Sequence, residues 1–109
     1  MAYNQELAER IREQLALLLP YTEKSMFGGI AFFVNGNMAC GVSGDALMVR
    51  VGPASYEEAL GRPGARPFDM TGRPMKGWVG VGPEGYASDE SLVDWIRQGV
   101  EFAASLPPK

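Results

Sequence analysis

The sequence predicts an α+β domain in which a five-stranded, mainly antiparallel sheet carries helices on one face, in a two-layer sandwich. Two observations lead to this fold class. Apolar residues recur at helical spacing near both termini, and a middle segment rich in Phe, Val, Met and Gly is punctuated by turn signals. The predicted element order is α-β-β-β-α-β-β-α. At 109 residues, the chain 1–109 is expected to form a single domain.

The first element is an amphipathic helix that ends before Pro20, because the residue preceding a proline disfavours helical backbone. Its apolar positions are Leu7, Ile11, Leu15, Leu18 and Leu19. Three antiparallel strands are then predicted near 24–34, 37–43 and 46–51. They are joined by two-residue turns at Asn35-Gly36 and Gly44-Asp45.

Those two turns predict a register and therefore two faces for the sheet. The first turn sets Phe33 opposite Met38 and Ala31 opposite Cys40, and the second sets Cys40 opposite Val49. The face expected to lie against the helices collects Ala31, Phe33, Met38, Cys40, Val42, Leu47, Val49 and Val51. The opposite face collects Ile30, Phe32, Val34, Asn37, Ala39, Gly41, Met48 and Arg50.

The second half of the chain predicts a short helix, two strands and a long closing helix. PASYEEALG (53–61) is the short helix, with a capping box from Ser55 to Glu58 and a stop at Gly61. FDMTG and KGWVGVG predict strands. The closing helix begins at a Ser88 cap. Its apolar stripe is Leu92, Trp95, Ile96, Gly99, Phe102, Ala103 and Leu106.

GVGPEG, at 80–85, matches the G-x-G-x-x-G spacing of dinucleotide-binding loops. Pro83 lacks the backbone N–H that a phosphate cradle needs, and no second parallel strand is predicted after the closing helix. We therefore interpret the motif as the end of a strand followed by a turn, and expect no nucleotide cofactor.

Charge is unevenly distributed along the chain. Residues 1–23 have a net charge of −2, residues 24–83 of +2 and residues 84–109 of −3, which together give the overall −3. No stretch is long and apolar enough to span a membrane, and none is typical of a signal peptide. With one cysteine and no possible internal disulfide, the sequence favours a cytoplasmic protein.

No catalytic or metal constellation is visible, so the sequence favours a protein that is not an enzyme. Histidine is absent, which removes the commonest general base and metal ligand. Cys40 falls on the predicted apolar face and is interpreted as a core thiol rather than a nucleophile. We expect no metal and no cofactor.

The sheet face without helices is the predicted functional surface, since exposed apolar patches usually mark interfaces. The residues predicted to form it are Ile30, Phe32, Val34, Met48 and Trp78. One hypothesis is a homodimer, packed either sheet to sheet or through an edge strand. The alternative is a nucleic-acid or anionic-ligand surface, with aromatic stacking and phosphate contacts from Arg50, Arg66, Arg73 and Lys76.

Three segments carry a family resemblance: MFGGIAFFVNGNMACGV (26–42), LMVRVGPASYEEAL (47–60) and ARPFDMTGRPMKGWVGV (65–81). They resemble the N-terminal domain of the TfoX/Sxy family over nearly the whole chain. The resemblance implies a two-layer α+β fold, a dimer and a bacterial regulatory module. It also implies a regulatory protein partner, because the best-known members regulate competence with the cyclic-AMP receptor protein. Those members carry a second, C-terminal domain, which this chain is expected to lack.

Overall fold

The computed structural model describes residues 3–18, 20–26, 28–69 and 74–108. Its helices are α1 (Gln5–Leu18), α2 (Tyr56–Leu60), α3 (Pro83–Tyr86) and α4 (Asp89–Ser105), and a 3₁₀ turn at Pro53–Ser55 precedes α2. Its strands are β1 (Thr22–Met26), β2 (Gly29–Val34), β3 (Asn37–Ser43), β4 (Ala46–Arg50), β5 (Ala65–Asp69) and β6 (Pro74–Val81).

The strands form one open antiparallel sheet in the order β1-β2-β3-β4-β6-β5, with helices packed against it. This confirms the predicted α+β class. The sheet has six strands rather than the predicted five, because the segment predicted as one strand at 24–34 is a hairpin. Gly28, with φ 75°, lies at its turn, and β1 pairs with β2 from Thr22↔Phe33 to Met26↔Gly29.

A β-bulge in β3 changes the predicted pairing with β2. Phe33 lies opposite Met38 as predicted, but Phe32 rather than Ala31 lies opposite Cys40, so Ala39 is the extra residue. The β3–β4 register is as predicted, with Cys40 opposite Val49. Because neighbouring side chains alternate between faces, the bulge exchanges the two faces of β2 relative to the prediction.

The core lies between the sheet and the helices. Phe32, Leu47 and Val49 from the sheet and Trp95 and Ile96 from α4 are all at most 1% exposed. From α1, the buried residues are Leu7, Ala8, Ile11 and Leu15. Burial of this apolar surface is the main force holding the two layers together.

Side chains cap the N-termini of α1 and α4, whereas α2 has no side-chain cap. Ser88 Oγ accepts a hydrogen bond from Ser91 N–H at 3.1 Å, as predicted for α4. Asn4 Oδ1 accepts one from Leu7 N–H at 3.0 Å at the start of α1. Ser55 makes no side-chain cap bond at α2, so the predicted capping box is not formed.

Two contacts hold α4 close to β3. A Cβ on Gly99 would lie 2.4 Å from the carbonyl oxygen of Ala39, so the helix approaches the strand as closely as only glycine allows. Asn37, 2% exposed, donates from Nδ2 to the carbonyl oxygens of Ala103 and Pro107 at 3.4 and 3.0 Å. The amide thus ties β3 to the last turn of α4 and to Pro107 just beyond it.

The GVGPEG segment begins at the end of β6, as predicted, but the predicted turn after it is the short helix α3. Gly82 N–H donates to the carbonyl of Gly64 at 2.9 Å, and a Cβ on Gly85 would lie 2.6 Å from the carbonyl oxygen of Pro63. Gly85 is therefore required by the close approach of α3 to the loop before β5.

Candidate functional site

The uncovered face of the sheet, here called the open face, carries partly exposed aromatic and methionine side chains. Phe33, Met38, Phe68 and Trp78 are all half-buried on it. Met48 is 6% exposed, and its methyl group and that of Met38 lie over Gly41. Long apolar side chains thus pack over small residues of the sheet. No helix among the described residues covers these side chains.

A single row of residues crosses the open face through all six strands. Successive register pairs join the row in the order Lys24, Ala31, Gly41, Met48, Gly80 and Arg66. The row is small or apolar in its middle and cationic at both ends. At the usual strand spacing, its ends lie about 24 Å apart along the sheet.

Arg50 lies beside this row and contacts two aromatic rings. Its guanidinium carbon lies 5.4 Å from the ring centroid of Trp78, its register partner, and 5.4 Å from that of Phe102. These distances are within the range of cation–π attraction. Trp78 also packs against Phe68, with centroids 6.5 Å apart and ring planes tilted by 41°. The result is a fixed cluster of one cation and three aromatic rings at one side of the sheet.

The interface residues predicted from sequence separate onto opposite faces. Met48 and Trp78 lie on the open face. Ile30, Phe32 and Val34 do not: they are 4%, 0% and 1% exposed and belong to the core under the helices. Placing these three on the open face was wrong, because the bulge at Ala39 reverses β2 relative to a regular hairpin.

The four cations predicted to bind an anion have different positions. Arg66 is exposed on β5, and its Cγ lies 4.0 Å from where a Gly80 Cβ would be, which places it on the open face. Arg50 is half-buried on the same face, and Lys76 is exposed on β6. Arg73 lies outside the described residues. Lys24, on the open face of β1, was not singled out from sequence because the β1–β2 hairpin was not predicted.

The charges are unevenly distributed between the two layers. Lys24, Arg50 and Arg66 lie on the open face, and the carboxylate of Glu84 lies beside Arg66, since Glu84 Oε1 and Arg66 Nη2 would be 2.5 and 3.4 Å from a Cβ on Gly82. Glu23 on β1 and Asp45 in the β3–β4 turn are exposed acids of the sheet layer. The helices carry exposed acids at Glu6, Glu9, Glu13, Glu57, Glu58, Glu84, Asp89, Glu90, Asp94 and Glu101. Three of the cations in the helical layer are ion-paired with acids: Arg10 with Asp89, Arg12 with Glu9 and Glu23, and Arg62 with Asp94.

The C-terminal end of α1 forms a second apolar surface that sequence reasoning missed. Leu17 is 80% exposed and Leu18 40%, and with Ala16, Pro20 and Tyr21 they line a shallow depression. We call these five residues the α1 end. Leu18 was predicted to be buried, but the buried stripe ends at Leu15. The uninterrupted LALLLP run was the available signal, because an apolar run this dense exceeds what one helix face can bury.

Cys40 is fully buried in the core, as predicted. Burial raises the pKa of its thiol to about 12, because the apolar surroundings disfavour the thiolate. The neutral thiol is a poor nucleophile and a poor metal ligand. Among the described residues, no group of three or more Cys, Asp or Glu side chains is arranged to hold a metal ion.

None of the helices in the described ranges has the length and apolar character required to cross a membrane. Comparisons with curated proteins and with solved structures give no match. A family model, the TfoX N-terminal domain, matches residues 13–103. This range runs from the middle of α1 almost to the end of α4 and includes the whole sheet, so the chain belongs to the TfoX N-terminal domain family.

Proposed function

We propose that this protein is a small regulatory module of the cytoplasm that works by binding other macromolecules, without catalysis, and that it is a homodimer. Its membership of the TfoX N-terminal domain family favours a regulatory role linked to transcription or competence. The burial of Cys40 supports a non-enzymatic role, since the only thiol is held protonated and out of reach.

The observation that carries the dimer proposal is the exposed apolar surface of the α1 end. Leu17 is 80% exposed and Leu18 40%, although the earlier leucines of the same helix are buried, and exposed patches of this kind mark interfaces. The α1 end leads directly into β1, whose outer edge has no strand partner in the sheet. A second copy related by a two-fold axis would bury both α1 ends against each other.

The open face is a poorer surface for the same contact. Sheet-to-sheet packing of two copies would bring Lys24, Arg50 and Arg66 of each copy towards their counterparts. Juxtaposed like charges oppose association. We therefore propose the α1 end, rather than the open face, as the dimer surface.

Sedimentation equilibrium on the purified chain tests this proposal. We expect a dimer for the wild type and a monomer for Leu17→Glu, because a carboxylate would have to be buried in the contact. Ala104→Glu adds the same charge at an exposed position of α4 and should remain a dimer. A wild-type monomer at about 100 µM, or a Leu17→Glu dimer of unchanged affinity, would contradict the proposal.

A further inference from the structure

We propose that the open face is a binding site for single-stranded nucleic acid, with bases stacked on its aromatic rings and phosphates held by its cations. This site is independent of the proposed dimer contact. It rests on three features of the described residues: the charge of the face, the arrangement of its rings and the row of residues that crosses it.

The charge of the face selects an anionic partner. Lys24, Arg50 and Arg66 point to this side, and Lys76 is exposed on β6, while most of the exposed acids lie on the helices. Among the described residues the exceptions are Glu23 on β1, which pairs with Arg12, and Asp45 in the β3–β4 turn. Glu84 Oε1 and Arg66 Nη2 would lie 2.5 and 3.4 Å from a Cβ on Gly82, so Glu84 partly offsets the charge of Arg66. Although the overall charge of the chain is −3, the open face therefore carries an excess of positive charge. The positive electrostatic potential of that face orients a polyanion towards it.

The rings select a partner with planar groups. Phe33, Phe68 and Trp78 are half-buried, so each is fixed by its neighbours and still presents part of its surface. Trp78 is further held between Phe68 and the guanidinium of Arg50. Bases stack on aromatic side chains of this kind without regard to sequence, and a guanidinium beside a ring adds cation–π attraction.

The row from Lys24 to Arg66 gives the site its length. Its ends are cationic and its middle is small or apolar, so two cations about 24 Å apart are joined by a row of described residues that holds no acid. A nucleic-acid strand has regularly spaced phosphates, which can contact the cations, and bases, which can contact the apolar residues between them. An acidic protein segment would match the charges but would leave the rings without planar partners.

The site is tested by titrating the full chain into a fluorescently labelled oligothymidylate of about 12 nucleotides and following its anisotropy. We expect saturable binding that weakens with salt, with a slope of log K against log [salt] of roughly −2 to −3 for three or four phosphate contacts. Trp78→Ala should weaken binding about tenfold, through the lost stacking surface.

Charge reversal locates the site, because the chain offers a matched control. The double variant Arg66→Glu with Lys76→Glu should weaken binding by about tenfold or more. Arg97→Glu makes the same change at an exposed position of α4 in the helical layer and should alter binding less than about twofold. All three substituted positions are exposed, and circular dichroism melting verifies that each variant is folded.

Tryptophan emission gives a second measurement at the site itself. Trp95 is 1% exposed, whereas Trp78 is half-buried on the open face. Unlabelled oligothymidylate should therefore quench the wild-type emission, and Trp78→Phe should lose this quenching.

Several results would overturn the proposal. The first is the absence of oligothymidylate binding at low salt, and the second is binding that salt does not weaken. The third is an equal loss of affinity in Arg97→Glu and in the double variant. Stronger competition by a polyglutamate peptide than by unlabelled oligothymidylate would also reject nucleic acid, in favour of an acidic protein segment on the same face.

Discussion

Gly99 of α4 lies against the main-chain carbonyl of Ala39 in β3, so closely that a Cβ at Gly99 would be 2.4 Å from the carbonyl oxygen. The helix therefore packs directly on the bulged part of the strand. Glycine in the middle of a helix costs about 1 kcal/mol relative to alanine, so its presence here indicates that the close approach outweighs helix propensity.

Gly99→Ala should destabilise the fold although alanine favours helix. The added methyl group meets main-chain atoms rather than a flexible side chain, and overpacking of this kind costs about 1–3 kcal/mol. Urea unfolding measures the change. Gly61→Ala, at the end of α2 with the nearest atom at 3.4 Å and φ −81°, is the control and should be nearly neutral. A stabilised Gly99→Ala variant would contradict the observed packing.

Ser88→Ala should reduce the free energy of unfolding by about 1 kcal/mol, because α4 would lose the side-chain acceptor for Ser91 N–H. Ser55→Ala is the matched control at the start of α2, where the serine makes no cap bond, and it should change little. Thermal or urea unfolding of both variants distinguishes the two caps. Equal decreases in the free energy of unfolding for the two variants would show that the hydrogen bond from Ser91 N–H to Ser88 does not stabilise α4.

Arg62→Ala should destabilise the domain by about 1 kcal/mol through loss of the cation–π contact with Trp95, whose ring centroid lies 3.6 Å from the guanidinium. Arg62 also pairs with Asp94, but that carboxylate is 74% exposed, so Asp94→Asn should have little effect. Urea unfolding compares the two. A larger loss in Asp94→Asn than in Arg62→Ala would assign the stabilisation to the ion pair instead.

The stability of the fold should decrease as the pH rises above 9 because of Cys40. In the fold, burial raises the pKa of its thiol from 9.0 to about 12. Between these values the unfolded chain releases the proton and the folded chain retains it, so rising pH favours unfolding. Below pH 9 both states hold the proton and the thiol contributes no pH dependence.

Cys40→Ala isolates this contribution from that of other groups that titrate in the same range. The variant should be less stable at neutral pH, since it leaves a small cavity in the core. Its free energy of unfolding should nevertheless fall less steeply than that of the wild type between about pH 9 and 11. Parallel pH profiles for the two proteins would contradict a buried, protonated thiol.

The periodic elements of the fold could be predicted from sequence, because each is defined by local spacing. Residues close together in the sequence were sufficient to predict the apolar stripe of α4, the Ser88 cap and the register set by the turn at Gly44-Asp45. The β1–β2 hairpin was not predicted because the sequence around Gly28-Gly29 shows no break in the apolar pattern that would divide the segment into two strands. The positive φ of Gly28, which allows the turn, is visible only in the structure.

The candidate site was only partly predictable, for a different reason. Trp78, Met48 and Arg50 were placed correctly, since β4 and β6 are regular. Ile30, Phe32 and Val34 were misplaced because a bulge depends on how two strands fit together over the core, and the apolar pattern of β2 is compatible with either face. The cationic row depends on pairing between distant strands, whereas the α1 end had a local signal in the LALLLP run.

The bulge at Ala39 also governs how this part of the chain tolerates changes in length. Deleting Ala39 would remove the extra residue and leave a regular ladder in which Phe33 still lies opposite Met38 and Phe32 still lies opposite Cys40. The core and surface residues of β2 would therefore keep their sides of the sheet. A one-residue deletion within β2, which has no extra residue, would instead exchange them, so losses of one residue during evolution should be tolerated better at Ala39 than in β2.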